Sequence, residues 1–176
     1  MGKRVLVVVD MQKDFVDGSL GSKEAVSIVP AVVKKARDFD GTVLFTRDTH
    51  GEDYMETQEG KYLPVAHCIR GTEGWELIPE LEEMKDSRKA QCFDKPAFGS
   101  VALAEALRAM YEAGELGSVE LVGLCTDICV VSNALLTKAF MPELPVSVDA
   151  SCCAGVTPEK HAAALETMRS CQIQIL

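Results

Sequence analysis

Short aliphatic runs alternate along this chain with segments whose apolar residues recur every three or four positions, and that alternation leaves few folds open. Lys3–Val9 is a valine-rich run and reads as a buried strand. Pro30 suits the first turn of a helix with Val29, Val32, Val33 and Ala36 on one side. Thr42–Thr46 is a second strand, Lys89–Phe93 a third, Val119–Leu124 a fourth, Pro145–Val148 a fifth and Gln172–Leu176 a sixth. Further helices fall between them. One is capped by Ser100 with Leu103, Leu107, Met110 and Tyr111 on a face, one covers Asp127–Ala139, and one opens at Thr157-Pro158 and runs through Met168. The stretch from Arg47 to about Gly74 is polar, lacks periodicity and predicts a long functional loop. Strands separated by helices predict an α/β protein, a three-layer sandwich around a six-stranded, mostly parallel sheet. Ligands of such sheets bind beyond the carboxyl ends of the strands.

The polar residues follow that rule. Asp10 comes after the first strand, Asp48 and His50 after the second, Lys95 after the third and Cys129 after the fourth, so four strand ends aim reactive groups at one rim. Thr126-Asp127 has the chemistry of a helix N-cap and would set Cys129 in the first turn of the next helix. There the free backbone N–H groups favour an anion, which predicts a lowered thiol pKa and a thiolate nucleophile. Plain packing is the alternative, since free cysteines are often buried. With Cys129, Asp10 makes a proton acceptor and Lys95, expected to be solvent-accessible at its strand end, an electrostatic anchor.

Only three histidines are present. His161 lies within the last helix and reads as an ordinary, partly exposed residue. His50, with Asp48 two residues before it, and His67 flank the long loop that contains Glu59, and carboxylates with imidazoles suit Zn²⁺, Fe²⁺ or Mn²⁺.

The whole chain narrows the choice of partner. At 176 residues, 47% of them hydrophobic, it suffices for one domain spanning 1–176. A formal charge of −9 argues against nucleic acid or an anionic membrane, which require a basic face. The Val5–Val9 run ends at Asp10, too short for a signal peptide or a membrane span, and Leu6 breaks the myristoylation pattern. Seven scattered cysteines, an odd number with no CxxC pair, predict a cytoplasmic protein rather than a disulfide framework.

Taken in order, these residues resemble the isochorismatase-like cysteine hydrolases, and within them the nicotinamidases (pyrazinamidases). The likeness is carried by Val-Val-Asp10-Met-Gln-Lys-Asp-Phe15-Val with Gly18-Ser-Leu20, and by Thr46-Arg-Asp48-Thr-His50. It continues in Pro64-Val-Ala-His67-Cys68 with Gly71-Thr, Lys95-Pro-Ala-Phe98, and Gly123-Leu-Cys-Thr-Asp-Ile-Cys129-Val. It implies a Rossmann-like sandwich and a triad of Asp10, Lys95 and Cys129. It also implies a metal site of Asp48, His50 and His67, with Glu59 as the fourth ligand in competition with Glu52, Asp53 and Glu56. One extra residue separates Pro64 from His67 relative to the family pattern. A cis peptide is implied at Leu124–Cys125, with the backbone N–H groups of Cys125 and Cys129 forming an oxyanion hole. Phe15, Leu20, Tyr62 and Phe98 would wall a flat ring.

The activity implied is deamination of nicotinamide to nicotinate and ammonia through a thioester. It would use one divalent transition metal and no organic cofactor, in a homo-oligomer (dimer or tetramer). Other small amides or ureides, and isochorismate, are the alternatives within the family; the metal-like loop disfavours isochorismate. Outside it stand an enzyme whose metal-bound hydroxide attacks, with Cys129 structural, and a metal-storing or protein-binding relic.

Overall fold

Alternate residues of the first strand face opposite cores, and the rest of the architecture follows from that. In the computed structural model, which describes residues 2–176, β1 (Lys3–Val9) turns Val5, Val7 and Val9 to one side and Leu6 and Val8 to the other, all fully buried. The strands β2 (Thr42–Asp48), β3 (Cys92–Lys95), β4 (Leu116–Leu124), β5 (Val146–Ala154) and β6 (Gln174–Ile175) complete one sheet in the order β3-β2-β1-β4-β5-β6. Every pairing is parallel. Helices α1 (Lys13–Val16), α2 (Lys23–Asp38), α3 (Gln58–Tyr62), α4 (Pro79–Arg88), α5 (Val101–Glu112), α6 (Val131–Phe140) and α7 (Pro158–Ser170) fill the connections.

Leu6 and Val8 pack against Ala25, Ile28, Val32 and Ala36 of α2 and Leu81 of α4. On the opposite face, Val5, Val7 and Val9 share a core with Leu103 and Leu107 of α5, Ala134 of α6, and Leu165 and Met168 of α7. Burying one such aliphatic side chain stabilises the fold by about 1.5–3 kcal/mol, so β1, covered on both sides, anchors the three layers. The strand order reverses between β1 and β4, where the two chains part and leave a crevice at their carboxyl ends. Gly123 sits at that point with φ +116°, and a side chain there would collide with the Val9 carbonyl. No helix among the described residues is long and apolar enough to cross a membrane.

Several boundaries differ from those read in the sequence. Pro30 lies mid-helix rather than in a first turn; Ser22 caps α2, its side chain accepting from the Ala25 N–H. The proline stands on the exposed face of the helix, where solvent can reach the carbonyl it leaves unpaired. The third strand begins at Cys92 rather than Lys89, because α4, absent from the sequence reading, ends there with Lys89 in the left-handed region at φ +51°. That shift makes Lys95 the last residue of β3, in register with Asp48. β5 continues through Ala154, and β6 is only two residues long. The long loop carries short helical turns at Tyr54–Glu56, Gln58–Tyr62 and Glu73–Trp75. Ser100 and Thr157 cap their helices as expected, accepting from Leu103 and Lys160 N–H groups.

Candidate active site

Asp10 leaves β1 in the left-handed region, φ +46°, a conformation Asp tolerates better than most residues and one that turns its carboxylate into the crevice. The Thr46 hydroxyl donates to Oδ1 at 2.6 Å. Oδ2 pairs with the Lys95 ammonium at 2.7 Å, and both side chains are fully buried. Lys95 Nζ also lies 3.3 Å from Cys129 Sγ and 3.4 Å from Asp48 Oδ1, and it donates to the Ala97 carbonyl at 3.1 Å. The three residues assigned to catalysis by resemblance therefore converge around one ammonium group.

Two expectations need correcting. Lys95 is not solvent-accessible: only 1% of it is exposed, since its late strand position carries it beneath the rim. Burial alone would lower its pKa, but Asp10, Cys129 and Asp48 reverse this and hold it above the ordinary lysine range. Nor is Cys129 poised as a resting thiolate. Burial and then the Asp10 charge push its pKa well up, and Lys95 offsets only part of that. Asp10 is also raised, first by burial and then by Asp48, against the pull of Lys95.

The turn holding Cys129 is also unlike the helix start expected. Thr126–Val130 forms a π-turn leading into α6, with Cys125 at its N-cap and no side-chain cap. Asp127 instead accepts the Val156 N–H. The Leu124–Cys125 peptide is cis.

The second cluster begins at Asp48, which touches both groups of residues. Its Oδ2 is 2.9 Å from His50 Nε2 and 3.5 Å from His67 Nε2, while Glu59 Oε1 lies 3.8 Å from each imidazole. One donor atom from each of the four residues fits within 4.8 Å. Donors bound to one ion at ~2.1 Å lie roughly 3–4 Å apart, so the set is slightly wider than a closed transition-metal shell and needs only a small side-chain adjustment to form one. His67 Nδ1–H donates to the Val65 carbonyl at 2.8 Å, which leaves Nε2 as the ring nitrogen facing the cluster. Burial opposes ionisation of Asp48, but the two imidazoles and Lys95 hold its carboxyl well below the usual range. Glu52, Asp53 and Glu56 are exposed and outside the group.

Sequence reasoning missed the residues that assemble this cluster. The two histidine segments are joined by backbone pairing: His50 N–H donates to Cys68 O and Arg70 N–H to His50 O. Gln12, fully buried, clamps the backbone of Asp48, accepting its N–H at 2.7 Å and donating to its carbonyl at 2.8 Å. Asn133 does the same beside the sulfur, donating to the Cys129 and Phe98 carbonyls. Polar side chains inside apolar surroundings were the only available sign.

A cavity of about 580 Å³ opens over both clusters, lined by Phe15, Leu20, Tyr62 and Phe98 among others. Phe15 stands with its ring 5.5 Å from that of His67. Tyr62 is 86% exposed and reaches the cavity only from its rim, and Phe98 is 45% exposed. Cys125 and Cys129 lie on the same wall.

Residues 4–176 match the family model for the isochorismatase domain. The nicotinamidase/pyrazinamidase of Mycobacterium tuberculosis is 29% identical over 189 aligned positions, covering 98% of this chain and 98% of that one. Among solved structures, the nicotinamidase/pyrazinamidase of Bacillus subtilis superposes with a TM-score of 0.85 at 27% identity, covering 98% of both chains. The pyrazinamidase of Pyrococcus horikoshii in complex with zinc gives 0.80 at 29% identity, covering 99% of this chain and 98% of its own.

Proposed function

The chain belongs to the isochorismatase family, and from that premise we propose that it is a cysteine amidohydrolase that converts nicotinamide to nicotinate and ammonia. The observation that carries this reading is the place of Lys95, 2.7 Å from Asp10 Oδ2 and 3.3 Å from Cys129 Sγ. When the thiol proton moves to Asp10, negative charge passes from one side of the ammonium to the other. The net charge of the three groups does not change, so a transfer in a buried site avoids creating an uncompensated ion. Asp10 suits the task because burial raises its affinity for a proton.

The thiolate attacks the amide carbon, and backbone N–H groups of Cys125 and Cys129 receive the developing oxyanion. The C–N bond then breaks as Asp10 returns its proton to the departing amine, leaving a thioester and ammonia. Asp10 next takes a proton from water, the resulting hydroxide attacks the thioester, and nicotinate departs as Cys129 regains its hydrogen. Phe15, Leu20, Tyr62 and Phe98 form the walls for the ring.

Asp48, His50, Glu59 and His67 would hold one divalent transition metal, which supplies a Lewis-acid contact for the pyridine nitrogen and so orients the amide. The chemistry of the donor set supports this: two carboxylates offset the charge of the ion, and the buried His67 imidazole has Nε2 facing the cluster. Asp48 then couples the two functions, with one oxygen toward the imidazoles and the other toward Lys95.

A screen of ammonia release tests the reading across nicotinamide, pyrazinamide, ureidoacrylate and carbamoylsarcosine, with isochorismate hydrolysis followed separately. Preference for the two aromatic amides is expected. A preference for a ureide or for isochorismate would overturn it.

A further inference from the structure

Two consecutive residues ahead of Cys129 are tied to the β5–α7 connection, which also lines the cavity through Gly155, Val156 and Lys160. Thr126 is fully buried, and its Oγ1 lies 2.8 Å from Nδ1 of His161, near the start of α7. Asp127 Oδ1 accepts the Val156 N–H at 2.9 Å. Gly155 makes this approach possible: a Cβ there would stand 2.8 Å from the His161 nitrogen and 2.9 Å from Asp127 Oδ1. The β5–α7 connection is thus fastened to the turn that carries the sulfur.

That turn needs outside support. Within it the Ile128 and Val130 N–H groups both donate to the Cys125 carbonyl, so its hydrogen bonding lacks the regular ladder of an α-helix. The sulfur, meanwhile, must hold its 3.3 Å separation from Lys95, which belongs to β3 on the far side of β1 and β2. We propose that His161, acting through Thr126, is a positioning residue for Cys129. Their hydrogen bond fixes the start of the turn against α7 and thereby sets the sulfur in line with Asp10 and Lys95. The inference rests on the reading of Cys129 as the nucleophile, and it gives the third histidine, which reads in sequence as an ordinary, partly exposed residue, a defined task.

Four variants test it. His161→Leu and Thr126→Val remove the bond while roughly keeping shape. His161→Asn and Thr126→Ser retain a polar atom at the same place, and the Asn amide serves whichever way the shared proton runs. Displacement of a reacting group by about 1 Å costs up to ~100-fold, so His161→Leu and Thr126→Val should each lower kcat roughly 10–100-fold. Metal content should not change, KM should change less than kcat, and iodoacetamide labelling of the Cys129 peptide should slow by a factor similar to that in kcat. The Asn and Ser variants should stay within about threefold of the unmodified protein. The double variant His161→Leu/Thr126→Val should be no worse than the poorer single one, because both remove one interaction. Additive losses, equal losses in the conservative variants, or an unchanged kcat would overturn the proposal. If the unmodified protein released no ammonia from nicotinamide, the functional reading would fall separately. The labelling arm would still decide, and an unchanged Cys129 rate in all four variants would overturn the positioning role.

Discussion

Asp10, Lys95 and Cys129 stand at or just beyond the ends of three strands, whereas His50, Glu59 and His67 are carried by the segment between β2 and β3. The first group inherits its geometry from the sheet, whose register sets Asp48 beside Lys95 and Val9 between Thr46 and Gly123. The second is assembled by a Gln12 clamp, a backbone bridge and short helical turns. Strand ends therefore bring together a buried group of titratable side chains, and the connecting segment builds a cluster that is partly open at Glu59, 23% of whose side chain is exposed. Substitution should accordingly damage fold and chemistry together in the first region, and chiefly ligand binding in the second.

Lys95 offers the severest test of that contrast. Lys95→Met keeps the length of the side chain but leaves Asp10 buried beside Asp48 without a counter-charge. Breaking a buried pair in this way costs about 3–5 kcal/mol, read as a lower urea midpoint, and turnover should be lost as well. A stability within about 1 kcal/mol of the unmodified protein would mean that Lys95 behaves as an exposed ion pair and that the regions differ less than described.

A smaller effect is expected at Glu59. Glu59→Gln should lower metal affinity roughly 10–100-fold with little change in stability, measured by elemental analysis after dialysis. Glu52→Gln and Glu56→Gln should retain full occupancy, because both side chains lie outside the cluster. Chelation of the unmodified protein should raise KM for nicotinamide and leave the Cys129 thiol present for alkylation. Full occupancy in the Glu59 variant would move the fourth ligand elsewhere.

The smallest effect lies away from both regions and calibrates them. Lys35 of α2 bridges Glu120 of β4 and Asp149 of β5. Burial would raise the Asp149 carboxyl, but hydrogen bonds from Lys35 and Ser151 bring it below its ordinary 3.8. Its contribution to stability is therefore present above pH 3.8 and lost as pH falls through the lower, folded-state value. Asp149→Asn should remove that acid-side loss, worth about 0–1 kcal/mol for a partly solvated pair, in urea unfolding followed from pH 5 to pH 2. An acid slope unchanged by the substitution would contradict the assignment.

What the sequence revealed divides along the same boundary. The alternation of aliphatic runs and helical periods yields the parallel sheet, and the polar residue after each run yields the rim, because strand ends are local features. Glu59 was preferred to Glu52, Asp53 and Glu56 only by resemblance to a family pattern, since a loop without periodicity carries no spacing that says which acid turns inward. The burial of Lys95 was hidden because α4 has few apolar residues, only Leu81 among them fully buried, and its omission let β3 start too early. The resting state of Cys129 was misread for a different reason: a helix terminus favours a thiolate only where solvent or a nearer cation outweighs burial and the facing Asp10 carboxylate. Gln12, Asn133 and His161 act through hydrogen bonds between residues distant in sequence, which no period records.

The central claim is that the strand-end group performs covalent chemistry while the connecting segment only orients the ring, and partitioning with hydroxylamine tests it most directly. A thioester on Cys129 divides between water and hydroxylamine, so the unmodified protein should form nicotinohydroxamate at the expense of nicotinate while ammonia release shows a matching burst. The Cys129→Ala variant should release neither product and still bind its metal. Nicotinate formation without hydroxamate, sustained in Cys129→Ala and abolished by chelation, would contradict the account and assign the attack to the metal side of the cavity.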